Sequence, residues 1–191
     1  MQPRQLIDFL GILEKLKCNT RHVWTSGGKQ ESVAEHCWRL TVMALLVADE
    51  FSDLDIDKVV KMCLIHDFGE ALTGDIPSFL KTEEDEDKEA SAIADLLKHL
   101  PESTSYEFTE LFAEMAEMKT EEAKLFKALD KLEAILSHNE SPLDTWLPLE
   151  YTENLTYGNE NVTHSGYLTL LRDEIRKDSL RKIEAKPLNG V

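Results

Sequence analysis

Apolar residues recur every three or four positions along most of the chain, the spacing that places them on one face of an α-helix. Leu6, Phe9 and Leu13 show this spacing near the N-terminus. The pattern predicts an all-α fold, a single globular bundle of about seven to eight helices. After the first helix, we expect helices over about residues 32–51, from about 56 towards 69, from the charged run at 83–89 to about 101, and over about 105–118, 120–138 and 163–184.

The segments between these helices are predicted to be loops. A Ser-Gly-Gly sequence at residues 26–28 interrupts the apolar pattern, and the loop that it predicts carries Arg21 and Trp24. The acidic run at residues 83–89 is expected to lie in solvent, at the start of its helix. The polar stretch at residues 139–162 is expected to be a flexible connection.

Two histidines fall on the apolar faces of predicted helices. Ser32 and Glu35 form an S-x-x-E capping box, in which the two side chains satisfy backbone N–H groups at the start of a helix. His36 follows in the same apolar stripe as Leu40, and His66 lies on the apolar stripe of the next helix. Both imidazoles are therefore predicted to point into the core.

Length and charge limit the classes of function. A chain of 191 residues predicts one domain spanning 1–191, with a core at about 30–140 and a helical extension at about 141–191. The net charge of −16, from 37 acidic and 21 basic residues, argues against binding to a nucleic acid polymer. A small phosphorylated ligand stays compatible with this charge, because a bound cation dominates its local field.

The cysteines and the N-terminal segment predict a cytoplasmic protein. Cys18, Cys37 and Cys63 contain no C-x-x-C pair, so neither a disulfide framework nor a structural zinc cluster is expected. Charged residues interrupt the apolar positions of the N-terminal segment, so we expect no signal peptide and no contact with a membrane.

The pattern of apolar positions gives different support to two aspartates as possible metal ligands. A lone inward histidine is usually a hydrogen-bonded core residue, but Asp67 adjoins the inward His66, and a buried ionised carboxylate calls for a cation. Asp130 lies at the flank of its apolar stripe, with Lys127 three residues earlier. Periodicity alone therefore favours a surface ion pair for Asp130.

Four blocks of sequence resemble a known family. A histidine, then an adjacent His–Asp pair, then an aspartate resemble the H…HD…D signature of the HD superfamily of metal-dependent phosphohydrolases. The surrounding residues resemble its 5′-deoxynucleotidase branch, the YfbR-like and HD-domain-containing-protein group, over most of residues 5–140. The blocks are E31-S-V-A-E-H36, I65-H-D-F-G-E70, T73-G-D-I-P77 and L129-D-K-L132.

The resemblance implies a metal site with one divalent ion per chain, Mn, Co, Fe or Zn. Members of the superfamily with two metals use further histidines before the last aspartate, and here only His99 lies in that interval. His99 is expected at the surface. The ligands that the resemblance implies are His36, His66, Asp67 and Asp130.

The resemblance also implies catalytic and substrate-binding residues. Glu70 is expected to orient or deprotonate water, and Asp75 to transfer a proton or hold the substrate, unless it only forms a turn. Arg21 is expected to bind a phosphate and Trp24 to pack on the sugar or base, in a segment linked with excluding a 2′-hydroxyl. His22 is the alternative to Trp24 at that position. A solvated arginine and a tryptophan closing the core are the other interpretations.

The function that the resemblance implies is that of a 5′-deoxynucleotidase, which converts deoxyribonucleoside 5′-monophosphates to deoxynucleosides and phosphate, in a homodimer. One alternative is an HD phosphohydrolase that acts on another nucleotide. Others are a non-catalytic metal-binding regulatory module and an HD-type oxygenase with two irons. The presence of Glu70 and Asp75 weighs against the regulatory module, which would be free to lose them.

Overall fold

The computed structural model describes residues 1–185, so the last six residues of the predicted C-terminal extension lie outside the described residues. Within that range the fold is helical apart from one two-stranded sheet, and the all-α prediction is confirmed. The elements are α1 (Pro3–Leu13), β1 (Thr20–Trp24), β2 (Gln30–Ser32), α2 (Val33–Leu46), α3 (Ile56–Ile65), the single turn α4 (Glu70–Thr73), α5 (Glu83–Leu97), α6 (Glu102–Glu117), α7 (Glu121–Glu140), α8 (Glu150–Thr156) and α9 (Gly166–Glu184).

Helix α7 forms the centre of the bundle and packs against α2, α3, α6 and α9. Its inward face is fully buried because Leu125, Leu129 and Leu132 recur at helical spacing. Thr120 starts the helix by accepting a hydrogen bond from the backbone N–H of Ala123 at 3.2 Å. This packing fixes the position of every side chain that α7 presents to its neighbours.

The predicted capping box opens α2. Ser32 Oγ accepts from the backbone N–H of Glu35 at 3.3 Å, and Glu35 Oε2 accepts from the backbone N–H of Ser32 at 2.9 Å. The helix ends at Leu46, and a 3₁₀ turn follows at Ala48–Phe51, so the prediction of one helix to residue 51 was too long. The capping box therefore fixes where the helix that carries His36 begins.

The predicted loop around residues 26–28 is the turn of a β-hairpin. Strands β1 and β2 pair antiparallel, with Trp24 opposite Gln30, and Gly28 has a φ of +81° in the turn between them. Arg21 and Trp24 therefore lie on a strand, which corrects the prediction that they lie in a loop. Strands of five and three residues are too short to give a readable alternation of apolar and polar positions.

The connection predicted to be flexible contains α8, so that prediction was wrong. Helix α8 packs against α9, and the buried Arg172 of α9 holds its C-terminal end. The guanidinium donates to the backbone carbonyl of Asn154 at 3.1 Å and to that of Tyr157 at 3.0 Å. These hydrogen bonds satisfy carbonyl groups that have no partner within the short helix.

Two glycines shape the turn after α3. A Cβ atom at Gly69 would lie 2.8 Å from Glu89 Cγ and 2.9 Å from Ile93 Cγ1, so the absence of a side chain lets α5 approach. Gly74 has a φ of +78°, a conformation that favours glycine, and ends α4. Among the helices of residues 1–185, none combines the length and the apolar character needed to cross a membrane.

Candidate metal centre and adjoining cavity

Four side chains from three parts of the fold converge on one point. Nε2 of His36 lies 3.3 Å from Nε2 of His66 and 3.4 Å from Oδ1 of Asp130. Nε2 of His66 lies 3.1 Å from Oδ1 of Asp67 and 3.8 Å from Oδ1 of Asp130. The ligand atoms of His36, His66 and Asp67 lie within 4.8 Å of one another, close enough to bind one metal ion, and Oδ1 of Asp130 adjoins both histidines.

The other ring nitrogens of the two histidines are held by acceptors. Nδ1 of His36 is hydrogen-bonded to the carboxylate of Glu133, and Nδ1 of His66 donates to the backbone carbonyl of Cys63 at 3.0 Å. These partners place the proton on Nδ1 and leave the lone pair of Nε2 directed at the shared point. Two imidazoles oriented in this way are typical of a metal centre.

Asp130 lies near the histidines and also forms an ion pair with Lys127, so it has features of both roles considered from the sequence, metal ligand and ion-pair partner. Its Oδ1 faces the histidines, and its Oδ2 accepts from Lys127 at 2.9 Å. The side chain is 15% exposed, so the ion pair does not lie on an open surface. Burial alone would raise the pKa of Asp130, but the charge of Lys127 and the hydrogen bond with His36 hold that pKa well below its usual range. The group is therefore an ionised carboxylate.

Glu133 was missed by sequence reasoning. Its side chain is fully buried and its carboxylate contacts His36, Arg21 at 3.2 Å and Ser137 at 2.9 Å. Burial would raise the pKa of Glu133, but His36 and Arg21 lower it to about 2. The available signal was the spacing of Asp130, Glu133 and Ser137 at i, i+3 and i+7, which places three polar side chains on one face of α7.

Glu31, which the sequence could not place, joins the same buried network. Its carboxylate accepts from Arg21 Nη1 at 2.8 Å and from Ser137 Oγ at 3.1 Å. Arg21 therefore lies between two buried carboxylates, which fix its orientation and balance its charge. Only Nη1 of its guanidinium has a hydrogen bond to the described part of the chain.

Glu70 lies beside Asp67, as a helical turn between them predicts. It is 6% exposed, and within the described residues its Oε2 has no hydrogen-bond partner. Burial, together with the charges of Asp67 and Asp75, raises the pKa of Glu70 to about 9. A divalent ion nearby would lower that pKa again. Burial also raises the pKa of Asp75 above its ordinary value.

Asp67, Glu70 and Glu89 form a second group of acids that lie close enough together to hold a cation. Glu89 is already paired, because Lys81 Nζ contacts its Oε2. Asp67 also belongs to the histidine site. The site that contains His36 and His66 therefore offers the more complete set of donors for one ion.

A cavity of about 420 Å³ opens beside these side chains, within the range of about 300–1,000 Å³ that is typical of small-molecule sites. Its wall includes His36, Asp67 and Asp130, together with Glu70 and Asp75. The remainder of the wall comes from strand β1, the segment at residues 76–81, helix α7 and helix α8.

The substrate-binding predictions have different outcomes in the geometry. Arg21 lines the cavity, whereas Trp24 does not; His22 lines it instead. The pairing of β1 with β2 is irregular between Thr20 and Trp24, and the consecutive residues Arg21, His22 and Val23 all line the cavity, so the side chains of β1 do not alternate regularly. His99 is exposed, as expected from the sequence. Its backbone carbonyl accepts a hydrogen bond from the side chain of Gln5 at 2.7 Å.

The chain is similar in sequence to known proteins. The sequence profile of the HD domain family matches residues 13–170. The Bos taurus protein 5′-deoxynucleotidase HDDC2 is 37% identical over 141 residues, covering 72% of this chain and 68% of that protein. The Schizosaccharomyces pombe protein 5′-deoxynucleotidase hdd1 is 32% identical over 138 residues, covering 68% of this chain and 69% of that protein.

Solved structures show the same fold. The crystal structure of a predicted metal-dependent phosphohydrolase from Magnetospirillum magnetotacticum matches with a TM-score of 0.79 and 26% identity, covering 94% of this chain and 95% of that one. A conserved hypothetical protein from Pyrococcus furiosus matches with a TM-score of 0.70 and 33% identity, covering 90% of this chain and 99% of that one. The profile match and the shared fold show that the chain belongs to the HD domain family.

Proposed function

We propose that this chain is a metal-dependent 5′-deoxynucleotidase that converts deoxyribonucleoside 5′-monophosphates to deoxynucleosides and phosphate. The convergence of two oriented imidazoles and two carboxylates beside a cavity, whose wall includes His36, Asp67 and Asp130, carries the proposal. The names of the bovine and fission yeast relatives support the substrate class.

The ion that this site would hold is a single divalent cation such as Mn, Co, Fe or Zn, bound by His36, His66, Asp67 and Asp130. When bound, such an ion polarises a phosphoryl group and lowers the pKa of a coordinated water. Its identity does not follow from the donors, because imidazole and carboxylate together suit several of these metals.

Glu70 and Asp75 supply the proton chemistry in this proposal. Both carboxyl groups line the cavity next to Asp67, and Oε2 of Glu70 has no partner in residues 1–185. A carboxylate in that place can accept a proton from water and hold the water in position for attack on phosphorus. The proposal assigns to Asp75, which follows Gly74 at the end of α4, protonation of the leaving oxygen or binding of the substrate.

Arg21 supplies the positive charge for the phosphate. Glu31 and Glu133 bind its Nη1, and within residues 1–185 its Nε and Nη2 have no hydrogen-bond partner, so the proposal assigns these two nitrogens to phosphate oxygens. A guanidinium binds phosphate through two parallel hydrogen bonds. The prearranged ion pairs lower the entropy that Arg21 loses when the substrate binds.

The proposal assigns the contact with the sugar to His22, the alternative to Trp24 at that position. It lines the cavity on the strand that carries Arg21, and its ring packs against Phe79 with centroids 6.3 Å apart. In this proposal the ring of His22 excludes the 2′-hydroxyl of a ribonucleotide. The homodimer implied by the family resemblance stays a prediction.

A non-catalytic regulatory module is the competing interpretation. A module that only binds metal needs neither a cavity of nucleotide size nor unpaired carboxyl groups beside the metal ligands. Both are present here, with Glu70 and Asp75 in the cavity wall. These features favour an enzyme.

Matched deoxyribo- and ribonucleotides test the proposed function. With Mn or Co added, we expect phosphate release from dAMP to exceed release from AMP by about 10-fold or more, because the sugar site must exclude one hydroxyl. Phosphate release at equal concentrations of the two substrates measures the ratio. Equal rates on both sugars would contradict the selectivity, and no release from any monophosphate by metal-loaded protein would contradict the hydrolase.

A further inference from the structure

The cavity extends along α7, away from the metal centre. Asp130, Ala134 and His138 all line it and lie four residues apart on that helix. At 1.5 Å per residue, the eight positions from Asp130 to His138 correspond to about 12 Å along the helix axis. A nucleoside monophosphate with its phosphate at the metal centre therefore extends its base towards His138.

Two buried polar side chains of α8 form the far end of the cavity. Glu150 and Asn154 both line it, lie one helical turn apart, and are only 2% and 4% exposed. Glu150 Oε2 is fixed by the backbone N–H of Leu147, which donates to it at 2.6 Å. Oε1 of Glu150 and Nδ2 of Asn154 have no hydrogen-bond partner in the described part of the chain.

The neighbours of Glu150 do not satisfy its second oxygen. Nε2 of His22 lies 3.2 Å and Nε2 of His138 lies 3.5 Å from Oε1. Neither contact has the geometry of a hydrogen bond, so Oε1 has no donor in the described part of the chain. Burial also lowers the pKa of His138 to about 4, so at neutral pH its ring carries no charge to balance the carboxylate. The side chain of Asn154 does not cap the end of α8. Arg172 binds the backbone carbonyl of Asn154 there and leaves the side-chain amide out of the contact.

Buried polar groups without partners are uncommon in folded proteins. An unpaired acceptor and an unpaired donor, one turn apart on the wall of a cavity, fit a ligand that presents a donor beside an acceptor. The hydrogen-bonding edge of every common nucleobase has this character, as an N–H group next to a ring nitrogen or a carbonyl oxygen.

We propose that Glu150 and Asn154 form a nucleobase subsite, in which Glu150 Oε1 accepts an N–H of the base and Asn154 Nδ2 donates to the neighbouring acceptor. Phe79 and Leu149, which also line the cavity, supply apolar contacts to the base. This inference rests on the proposed function and adds to it a requirement for the base. Because all common bases carry such an edge, the subsite demands a base without selecting strongly among them.

The test compares a deoxyribonucleoside monophosphate with 2-deoxyribose 5-phosphate, which keeps the sugar and the phosphate but lacks the base. Asn154→Leu and Glu150→Gln should each lower kcat/KM for dAMP and dCMP by about 10-fold, the loss expected for one hydrogen bond. Neither should change kcat/KM for deoxyribose 5-phosphate by more than about 2-fold. Thr152→Ala, at an exposed position of the same helix, is the control and should leave both substrates unaffected.

Equal losses on both substrates would overturn the subsite, because they would show general damage to the cavity. Unchanged kinetics on both would overturn it as well. Glu150→Gln keeps the side-chain shape and the acceptor for Leu147, so it supports a conclusion even if Asn154→Leu fails to fold. Calorimetric binding of dAMP and deoxyribose 5-phosphate to the metal-loaded protein separates the two proposals: base-dependent affinity without turnover keeps the subsite and contradicts the hydrolase.

Discussion

Replacement of Asp130 by alanine is expected to abolish tight binding of a divalent ion and to reduce phosphate release to the background rate. Oδ1 of Asp130 lies 3.4 Å from Nε2 of His36 and 3.8 Å from Nε2 of His66, so its loss removes one of four donors. Three remaining donors bind an ion more weakly, and Lys127 loses its partner and places an uncompensated positive charge beside the site. Isothermal titration with Mn or Co, with phosphate release from dAMP on the same samples, measures both effects.

Lys127→Gln is the matched control for this prediction. If Asp130 served only in an ion pair with Lys127, removal of either partner would have the same small effect. In our account, Lys127→Gln keeps metal binding, because Oδ1 of Asp130 still faces the histidines. Metal affinity that is retained in Asp130→Ala would show that this residue is not a ligand.

Glu70→Gln is expected to lower kcat by about 10²–10⁴-fold while the protein still binds its metal ion. The amide has nearly the same size as the carboxyl group but cannot accept a proton from water. The buried position and unpaired Oε2 of Glu70 mean that no other hydrogen bond of the fold depends on that oxygen. Steady-state kinetics together with metal titration separate a loss of chemistry from a loss of binding.

Glu89→Gln tests whether any nearby acid would give the same result. Glu89 lies in the acidic group with Glu70 but pairs with Lys81, and the proposal gives it no part in the chemistry. We expect its kcat to stay within a few-fold of that of the unmodified protein, with some loss of stability from the broken ion pair. Full activity of the Glu70→Gln variant would show that Glu70 takes no part in the reaction. Loss of the metal ion from the same variant would show that Glu70 is a metal ligand.

Helical periodicity predicted much of the fold because most of the chain lies in amphipathic helices. It placed His36 and His66 in the core, and His36 is 2% exposed. The S-x-x-E sequence predicted the start of α2 to within one residue, since two reciprocal hydrogen bonds define that position. Local patterns are reliable here because the forces that produce them act over a few residues.

Tertiary contacts account for the parts that the sequence did not predict. The seven-residue helix α8 depends on packing against α9 and on the hydrogen bonds of Arg172. Asp130 and Glu133 reach the site because α2 and α3 enclose that face of α7. The spacing of Asp130, Glu133 and Ser137 places them on one face of α7, but it does not show that other helices cover that face. The family signature was therefore needed to select Asp130, and the role of Glu133 became visible only with its contacts.

The direction of side chains on β1 is the remaining case. The sequence predicted Trp24, with His22 as the alternative, for contact with the substrate; His22 lines the cavity and Trp24 does not. Between the two paired positions β1 advances four residues and β2 only two, so the side chains of β1 do not keep a regular alternation. Such a change leaves no trace in composition or periodicity.

Metal content and phosphate release, measured on the same samples, test most directly whether hydrolysis of a phosphomonoester requires a divalent ion. The ion is the one that we propose is bound by His36, His66, Asp67 and Asp130. Protein stripped with a chelator should release no phosphate from dAMP. Stepwise addition of Mn or Co should restore release in proportion to bound metal, up to one ion per chain. Release that persists after stripping, or a fully loaded protein that releases no phosphate, would contradict the account.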